Sequence, residues 1–297
     1  MADPTLSHSA IACATGGFKG AFIHGVLSAF EEAGVQASAY AAASSSVVPA
    51  AAAVVGRARQ LGADHWQAGR RLVERPGVGM SEMVAAGIAG AVDSLALEEL
   101  FAPGRPRFLV AANAVGAEAV DETQGSAARR RGRLLLLAAG RTDGQGRDWV
   151  DRHLTLHLFD SHGGDDGTTP LLPLSPANFP AVAYASSRML HAWDVPAWVD
   201  GRAYVDAFYT CNCPALELVE LGYSHVIALA TEPELYGDIF RQTLVPEMWQ
   251  GVPIDVIAPE RDPAEMGVDY TRASATGLAA LYAHGRQRGQ AYLAGRG

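Results

Sequence analysis

Near its N-terminus the chain twice repeats the order strand, tight turn, helix. Residues 9–15 (SAIACAT) form an apolar run that leads into a glycine-rich turn, residues 15–20, and then into apolar side chains at helical spacing that end at Gly34. Residues 39–43 predict a second buried strand, which leads into three serines and an Ala- and Val-rich helix ending near Gly56. Parallel strands need long crossovers, usually helices, so this repeat restricts the chain to the α/β class.

The remainder of the sequence continues the alternation. The 297 residues contain no long linker and no internal repeat, so we expect one domain over residues 1–297. Its expected fold class is α/β, with a largely parallel central sheet flanked by helices on both faces. Further strands are predicted at residues 107–112, 134–139, 154–159, 203–207, 225–230 and 254–258.

Three further segments are assigned from composition and spacing. The arginine run at residues 129–133 precedes a leucine run, which favours a charged hairpin end there over an anion site, the alternative. Residues 161–176 are rich in glycine, proline and aspartate, which predicts a solvent-facing loop. Residues 79–101 place apolar side chains at helical spacing. That spacing favours a core helix over a mobile lid, and both alternatives stay open.

Charge and residue usage exclude several classes of protein. The chain has 32 acidic and 23 basic side chains, and its formal charge of -9 opposes electrostatic binding to nucleic acid or anionic lipid. Cys13, Cys211 and Cys213 are too few for a disulfide scaffold, which fits a reduced compartment. None of the nine histidines has a metal-ligand spacing, so no metal is expected. The N-terminus lacks a signal-peptide pattern and no stretch is apolar enough to span a membrane, so we expect a cytoplasmic location.

The glycine-rich turn is the first candidate site. Between a strand and a helix, backbone N–H groups and the helix dipole favour an anion. A dinucleotide-binding turn would carry G-x-G-x-x-G and an acidic residue about 20 positions later, but Thr15 replaces the first glycine and the second strand ends in AAASSS. The Gly16 and Gly17 amides instead suit a developing oxyanion if a nucleophile lies at the neighbouring strand end. A turn needed only for strand-to-helix packing is the third alternative.

Several motifs, in order along the chain, resemble the patatin-like acyl hydrolases. Residues 15–34 (TGGFKGAFIHGVLSAFEEAG) are similar to that family's glycine-rich motif and first helix, and the serine cluster follows where the family has a G-x-S-x-G nucleophile elbow. Asp206-Ala207-Phe208, with Asn212 and Pro214 six and eight residues beyond the aspartate, resembles the family's D-G-[GA] and N-x-P motifs. The resemblance implies a three-layer patatin-like fold, a Ser-Asp dyad and no cofactor.

The nucleophile lies within residues 42–47 (AASSSV). A sharp strand-to-helix turn requires small residues two positions before and after the nucleophile. Family spacing favours Ser44, whose flanking residues are both small, whereas Ser45 would have the β-branched Val47 in one of those positions. Pro49 argues the other way, because a helix that starts at Ser45 would lose a hydrogen bond there. Ser44 is therefore the preferred nucleophile and Ser45 the alternative.

The base is assigned by motif spacing. Asp206 has the downstream motif at family spacing, so it is preferred to Asp200, which we expect in a turn. The resemblance implies that Asp206 takes the Ser44 proton during attack and later returns it to the leaving group. A carboxylate with an ordinary pKa near 4 is a weak base, so the Gly16 and Gly17 oxyanion site must provide most of the barrier reduction. Lys19 and Gly20 are expected to support the glycine loop.

Together with the resemblance, these features predict a serine acyl hydrolase, an esterase of lipase or phospholipase type. It would cleave or transfer the acyl group of a lipid-type ester through an acyl-enzyme on Ser44. Its expected partners are lipid or acyl-ester small molecules and not nucleic acid, with transient membrane contact through apolar surface. An acyltransferase or thioesterase on the same fold stays open. Because the elbow lacks glycine, a non-catalytic protein that binds an acyl or other hydrophobic ligand is the main alternative, and a nicotinamide enzyme is the third.

Overall fold

The computed structural model describes residues 9–95, 97–139, 145–163, 171–192 and 194–295. This part of the chain contains both strands and helices. The strands are β1 (Ala10–Cys13), β2 (Ala39–Ala43), β3 (Arg107–Val115), β4 (Leu154–Asp160), β5 (Leu171–Pro173), β6 (Ala197–Val199), β7 (Arg202–Asp206), β8 (Val226–Leu229), β9 (Tyr236–Asp238), β10 (Thr243–Leu244), β11 (Met248–Trp249) and β12 (Val252–Ile257). The helices are α1 (Ala21–Glu32), α2 (Val47–Val54), α3 (Ala58–Leu61), α4 (Asp64–Val73), α5 (Met80–Leu95), α6 (Leu97–Leu100), α7 (Gly125–Ala139), α8 (Gln145–His153), α9 (Phe179–Ser186), α10 (Ala215–Glu220) and α11 (Ala275–Ala294).

A mixed, mostly parallel sheet forms the centre of the molecule and is flanked by helices. Its main path runs β11-β12-β8-β1-β2-β3-β4-β5, and the five strands from β12 to β3 are parallel to one another. Strands β1, β2 and β8 are buried along their whole length. Continuous apolar strands of this kind are typical of parallel sheets that are covered on both faces. The predicted α/β class, with a largely parallel central sheet, is confirmed.

The ends of two strands meet on one edge of β3, and this places the candidate site. Strand β2 pairs in parallel with the first half of β3, with Ala43 opposite Ala111. Strand β7 pairs antiparallel with the second half, with Asp206 opposite Ala112. Because β4 pairs along the other edge of β3, β2 and β7 share one edge and their C-terminal ends face each other. The residue that follows β2 is therefore brought beside the last residue of β7.

Most predicted strands are confirmed, but residues 134–139 are helical. They form the end of α7, which also contains residues 129–133, so neither a strand nor a charged hairpin end exists there. Leucine, alanine and arginine are strong helix formers, and a short apolar run does not by itself distinguish a helix from a strand. In the predicted loop at residues 161–176, positions 171–173 form β5, and positions 164–170 lie outside the described residues. Across the described ranges, no helix has both the length and the apolar character needed to cross a membrane.

Candidate active site

The turn after β2 holds Ser44 in an unusual backbone conformation. Its φ is 56°, in the left-handed region that non-glycine residues rarely occupy. A short 3-10 turn, Ser44–Ser46, follows, and α2 begins only at Val47. The Ser44 amide N–H donates to Ser186 Oγ at 2.8 Å, and the Ser46 hydroxyl donates to the Ala14 carbonyl at 2.5 Å. These two bonds hold a strained strand-to-helix turn of the kind that presents a nucleophile.

The conformation of the turn distinguishes Ser44 from Ser45. Ser44 has the left-handed φ, and its hydroxyl donates to Asp206 Oδ2 at 2.8 Å. The Ser45 hydroxyl is buried and has no hydrogen-bond partner among the described residues. Pro49 is the third residue of α2, within the first turn, where N–H groups have no partner inside the helix. The proline therefore costs the helix no hydrogen bond, and its argument against Ser44 does not hold.

Asp206 is positioned by bonds on every side. Its Oδ1 accepts from the Phe208 amide at 2.9 Å, and its Oδ2 accepts from Ser44. Its own amide donates to the Arg188 carbonyl at 2.9 Å. The Asn113 side-chain amide donates to the Asp206 carbonyl at 2.7 Å. The carboxyl group is thus fixed with one oxygen aimed at the Ser44 hydroxyl. Asp200 instead lies in the exposed β6–β7 turn, with a φ of 48°.

The pKa of Asp206 differs from the sequence-based expectation. The residue is only 1% exposed. Burial raises the pKa of Asp206 from 3.8 to about 7, although the hydrogen bonds from the Phe208 amide and the Ser44 hydroxyl act in the opposite direction. A carboxylate in a low-dielectric site is costly to ionise, so its basicity increases. The expectation of an ordinary carboxylate with a pKa near 4 is therefore wrong.

The glycine-rich turn lies beside this pair. Gly17 has a φ of 53°, and a Cβ on it would lie 2.0 Å from the Tyr270 carbonyl oxygen, so only glycine fits there. The backbone amides that flank Gly16 and Gly17 already have acceptors. The Thr15 N–H donates to the Asn212 carbonyl at 2.9 Å, and the Phe18 N–H donates to the Tyr270 carbonyl at 3.0 Å. Within the described residues, the Gly16 and Gly17 amides donate no hydrogen bond. Both glycines line the same cavity as Ser44.

Lys19 and Gly20 are both involved in packing around the turn. Lys19 is 3% exposed, and its Nζ bonds Glu232 Oε1 at 2.6 Å and Asp262 Oδ1 at 3.1 Å. Burial alone would lower the pKa of Lys19, but the bonds to these two carboxylates raise it. A Cβ on Gly20 would lie 2.8 Å from the Trp66 ring and 2.9 Å from Ser45 Oγ. Lys19 thus ties the glycine turn to the loops that follow β8 and β12.

A cavity of about 360 Å³ opens over Ser44. Its wall is mainly apolar. Residues of the predicted 79–101 helical segment, which the structure resolves into α5 and α6, contribute to that wall from the α5 side. The lining includes Gly16, Gly17, Phe18, Ser44, Ser45, Val47, Val48, His65, Trp66, Met80, Met83, Val84, Ile88, Leu136, Met189, His191, Asp206, Phe208 and Tyr270. Burial lowers the pKa of His65 to about 4, so this histidine is neutral at pH 7.

Two positioning contacts have no signal in the sequence. Ser186, which accepts the Ser44 amide bond, and Asn113, which holds the Asp206 carbonyl, lie on distant segments and have no motif around them. Asn212 was noticed for its spacing. In the structure its side-chain oxygen accepts from the Thr15 hydroxyl and its amide donates to the Tyr236 carbonyl at 2.7 Å. Thr15, at the first glycine position of the motif, is thereby anchored.

Among known proteins, a similarity is found in structure and not in sequence. No protein-family model matches the sequence, and no curated protein matches it. Among solved structures, the chain is similar to human GIVD cytosolic phospholipase A2, with a TM-score of 0.47 and 14% sequence identity. The match covers 98% of this chain and 62% of that one, so the chain spans less than two thirds of the phospholipase's length.

Proposed function

We propose that this chain is a serine acyl hydrolase in which Ser44 is the nucleophile and Asp206 the base. The observation that carries the proposal is the 2.8 Å bond from the Ser44 hydroxyl to Asp206 Oδ2, made by a serine in a left-handed turn that lines an apolar cavity. A nucleophile hydrogen-bonded to a fixed base is the arrangement that covalent catalysis requires. We also propose that residues 1–297 form one domain, which carries this activity.

In the proposed reaction, the Ser44 oxygen attacks the carbonyl carbon of an acyl ester while its proton passes to Asp206 Oδ2. The tetrahedral intermediate collapses, the ester C–O bond breaks, and Asp206 returns the proton to the departing alcohol. Water then attacks the acyl-enzyme with the same carboxylate as base, which releases the carboxylic acid and frees Ser44. A base with a pKa of about 7 suits this exchange near neutral pH because it both accepts and returns a proton readily.

The Gly16 and Gly17 amides have the proposed role of oxyanion donors. They are the unoccupied amides of the glycine turn in the described part of the chain, and they line the cavity together with Ser44. Backbone donors that are fixed before the reaction stabilise charge that develops on the carbonyl oxygen, at a typical value of about 3–4 kcal/mol per donor. Lys19 holds these donors in place through Glu232 and Asp262 and takes no part in the proton transfer.

The proposed substrate is an ester with an apolar acyl chain. The cavity wall is built mainly from aliphatic, sulfur-containing and aromatic side chains, which favour burial of hydrocarbon. The cavity volume of about 360 Å³ falls at the lower end of the range for small-molecule sites.

A fluorophosphonate probe tests the assignment of the nucleophile. We expect the probe to label the folded protein at Ser44, Ser44→Ala to abolish labelling, and Asp206→Asn to slow it strongly. Ser45→Ala is the matched control, because it removes the neighbouring hydroxyl and leaves the bond to Asp206 intact. Labelling that survives in Ser44→Ala and disappears in Ser45→Ala would reverse the assignment. A folded wild-type protein that the probe leaves unlabelled would favour a protein that only binds a hydrophobic ligand.

A further inference from the structure

Helix α7 presents leucines and arginines together on its outer side. Arg130, Arg133, Leu134 and Leu137 follow the spacing i, i+3, i+4, i+7, which places them on one helical face. Leu134 is 52% exposed and Leu137 is 70% exposed. Large apolar side chains grouped on a surface in this way mark a site of interaction. We call these four residues the α7 face.

The α7 face is continuous with the cavity over Ser44. Leu136, on the same helix, is 37% exposed and also lines the cavity. Gly132, the neighbour of Arg133 in α7, packs closely on the backbone of His191, another cavity residue, since a Cβ on Gly132 would lie 2.4 Å from the His191 amide nitrogen. An acyl chain that enters the cavity past Leu136 therefore passes the α7 face.

The charges on this face differ from those of the whole chain. The chain carries a formal charge of -9, yet Arg130 and Arg133 are exposed and make no ion pair with any residue in the described ranges. Arg129, at the edge of the face, forms its ion pair with Asp194 at 3.1 Å. Exposed arginines that have no ion-pair partner in the described part of the chain, next to exposed leucines, complement a surface that has both anionic groups and hydrocarbon.

We propose that the α7 face docks the protein on a lipid surface that contains anionic headgroups and so delivers acyl chains to the cavity. Leu134 and Leu137 enter the acyl boundary, and Arg130 and Arg133 bind headgroup phosphates. This inference rests on the proposed function, because the acyl chain is delivered to the cavity of the proposed hydrolase. It differs from the expectation, drawn from net charge, that an acidic chain opposes electrostatic binding to anionic lipid.

Vesicle sedimentation tests the docking surface apart from catalysis. The Ser44→Ala protein is used throughout, so that no hydrolysis alters the vesicles. It is mixed with vesicles of phosphatidylcholine and with vesicles of phosphatidylcholine and phosphatidylglycerol. The double variant Arg130→Gln/Arg133→Gln should bind the anionic vesicles roughly thirtyfold more weakly, at about 1 kcal/mol for each arginine, and the neutral vesicles unchanged. Leu134→Ser/Leu137→Ser should weaken binding to both compositions at least about tenfold.

The hairpin of β9 and β10 supplies a matched control. Arg241 is 59% exposed and Leu244 is 50% exposed, and neither lines the cavity, so Arg241→Gln/Leu244→Ser should bind vesicles like the parent. Equal losses in this control and in the α7 variants would overturn the proposal, and so would failure of the parent to bind either vesicle. Turnover of a soluble short-chain ester by the wild-type protein is measured separately. Absence of that turnover would refute the proposed hydrolase, whereas absence of vesicle binding alone would refute the docking surface.

Discussion

Replacing Asp206 with asparagine should stabilise the fold while it removes the proposed base. Burial raises the pKa of Asp206 from 3.8 to about 7, so the folded protein holds this proton more tightly than the unfolded chain does. The stabilising effect of the proton is complete below about pH 4 and is lost as the pH rises to about 7. Above that pH, the ionised carboxylate costs the folded state about 4 kcal/mol, at about 1.4 kcal/mol for each tenfold change in proton affinity.

Asparagine preserves the shape of the site without this cost. Its carbonyl oxygen can accept from the Phe208 amide, and its NH₂ group can donate to Ser44 Oγ, so both buried contacts keep a partner. The free energy of unfolding should be measured in urea by tryptophan fluorescence, for both proteins, from pH 5 to pH 8. We expect the advantage of Asp206→Asn to widen by about 2–3 kcal/mol over this interval.

The control is Asp200→Asn, at the exposed β6–β7 turn. It also converts an aspartate to asparagine, at an exposed position outside the cavity, so it controls for the change of side chain. An advantage of Asp206→Asn that stays constant or shrinks as the pH rises would show that burial does not raise the pKa of Asp206. The proposed base would then be an ordinary carboxylate.

Three further outcomes follow from the geometry of the site. The rate of acylation by a soluble ester should rise as Asp206 ionises and level off above about pH 7; a rate already constant from pH 5 would contradict this. Ser186→Ala leaves the buried Ser44 amide without its acceptor at a cost of about 1–3 kcal/mol, so kcat should fall at least about tenfold with little change in KM. Ser187→Ala should have a smaller effect because, although Ser187 lines the cavity, its hydroxyl donates to the Ala183 carbonyl at 2.9 Å and, within the described residues, does not contact the Ser44 amide. Gly20→Ala should lower the free energy of unfolding by about 1–3 kcal/mol, because its Cβ would lie 2.8 Å from the Trp66 ring. Gly90→Ala should raise the free energy of unfolding, because a Cβ there meets nothing within 4 Å. Equal thermal-denaturation shifts in the two variants would count against the packing of Gly20 on Trp66.

The sequence was sufficient to predict the elements that carry the site, because their signals are local. Continuous apolar runs marked β1 and β2, and a glycine with a left-handed φ occurs at Gly17, where the glycine-rich turn was predicted. The same local approach failed at α7. There, four successive leucines follow the arginines, and periodicity does not separate a short buried strand from the end of a helix. Helix propensity separates the two, because leucine, alanine and arginine all favour a helix.

The environment of Asp206 cannot be predicted from the sequence around it. Its partner Ser44 lies 162 positions away, and the partner of the Ser44 amide, Ser186, lies 142 positions away. The pairing of β2 and β7 along one edge of β3 is what brings them together. Burial at that junction then sets the pKa of the carboxyl group, and burial depends on every element packed around the junction.

The same junction gives a physical reason why the proposed base, Asp206, is a carboxylate and not a histidine. At the surface, Asp206 would be ionised, well solvated and too weak a base to take a serine proton. At the end of β7, facing the end of β2, the carboxyl group lies where side chains from several elements exclude water, and this raises its pKa toward neutrality. The cost appears as lost stability above pH 7, and the benefit as a better match between base and working pH. A substitution that opens the junction to water should therefore stabilise the ionised carboxylate and weaken the base together, because both effects have one physical origin.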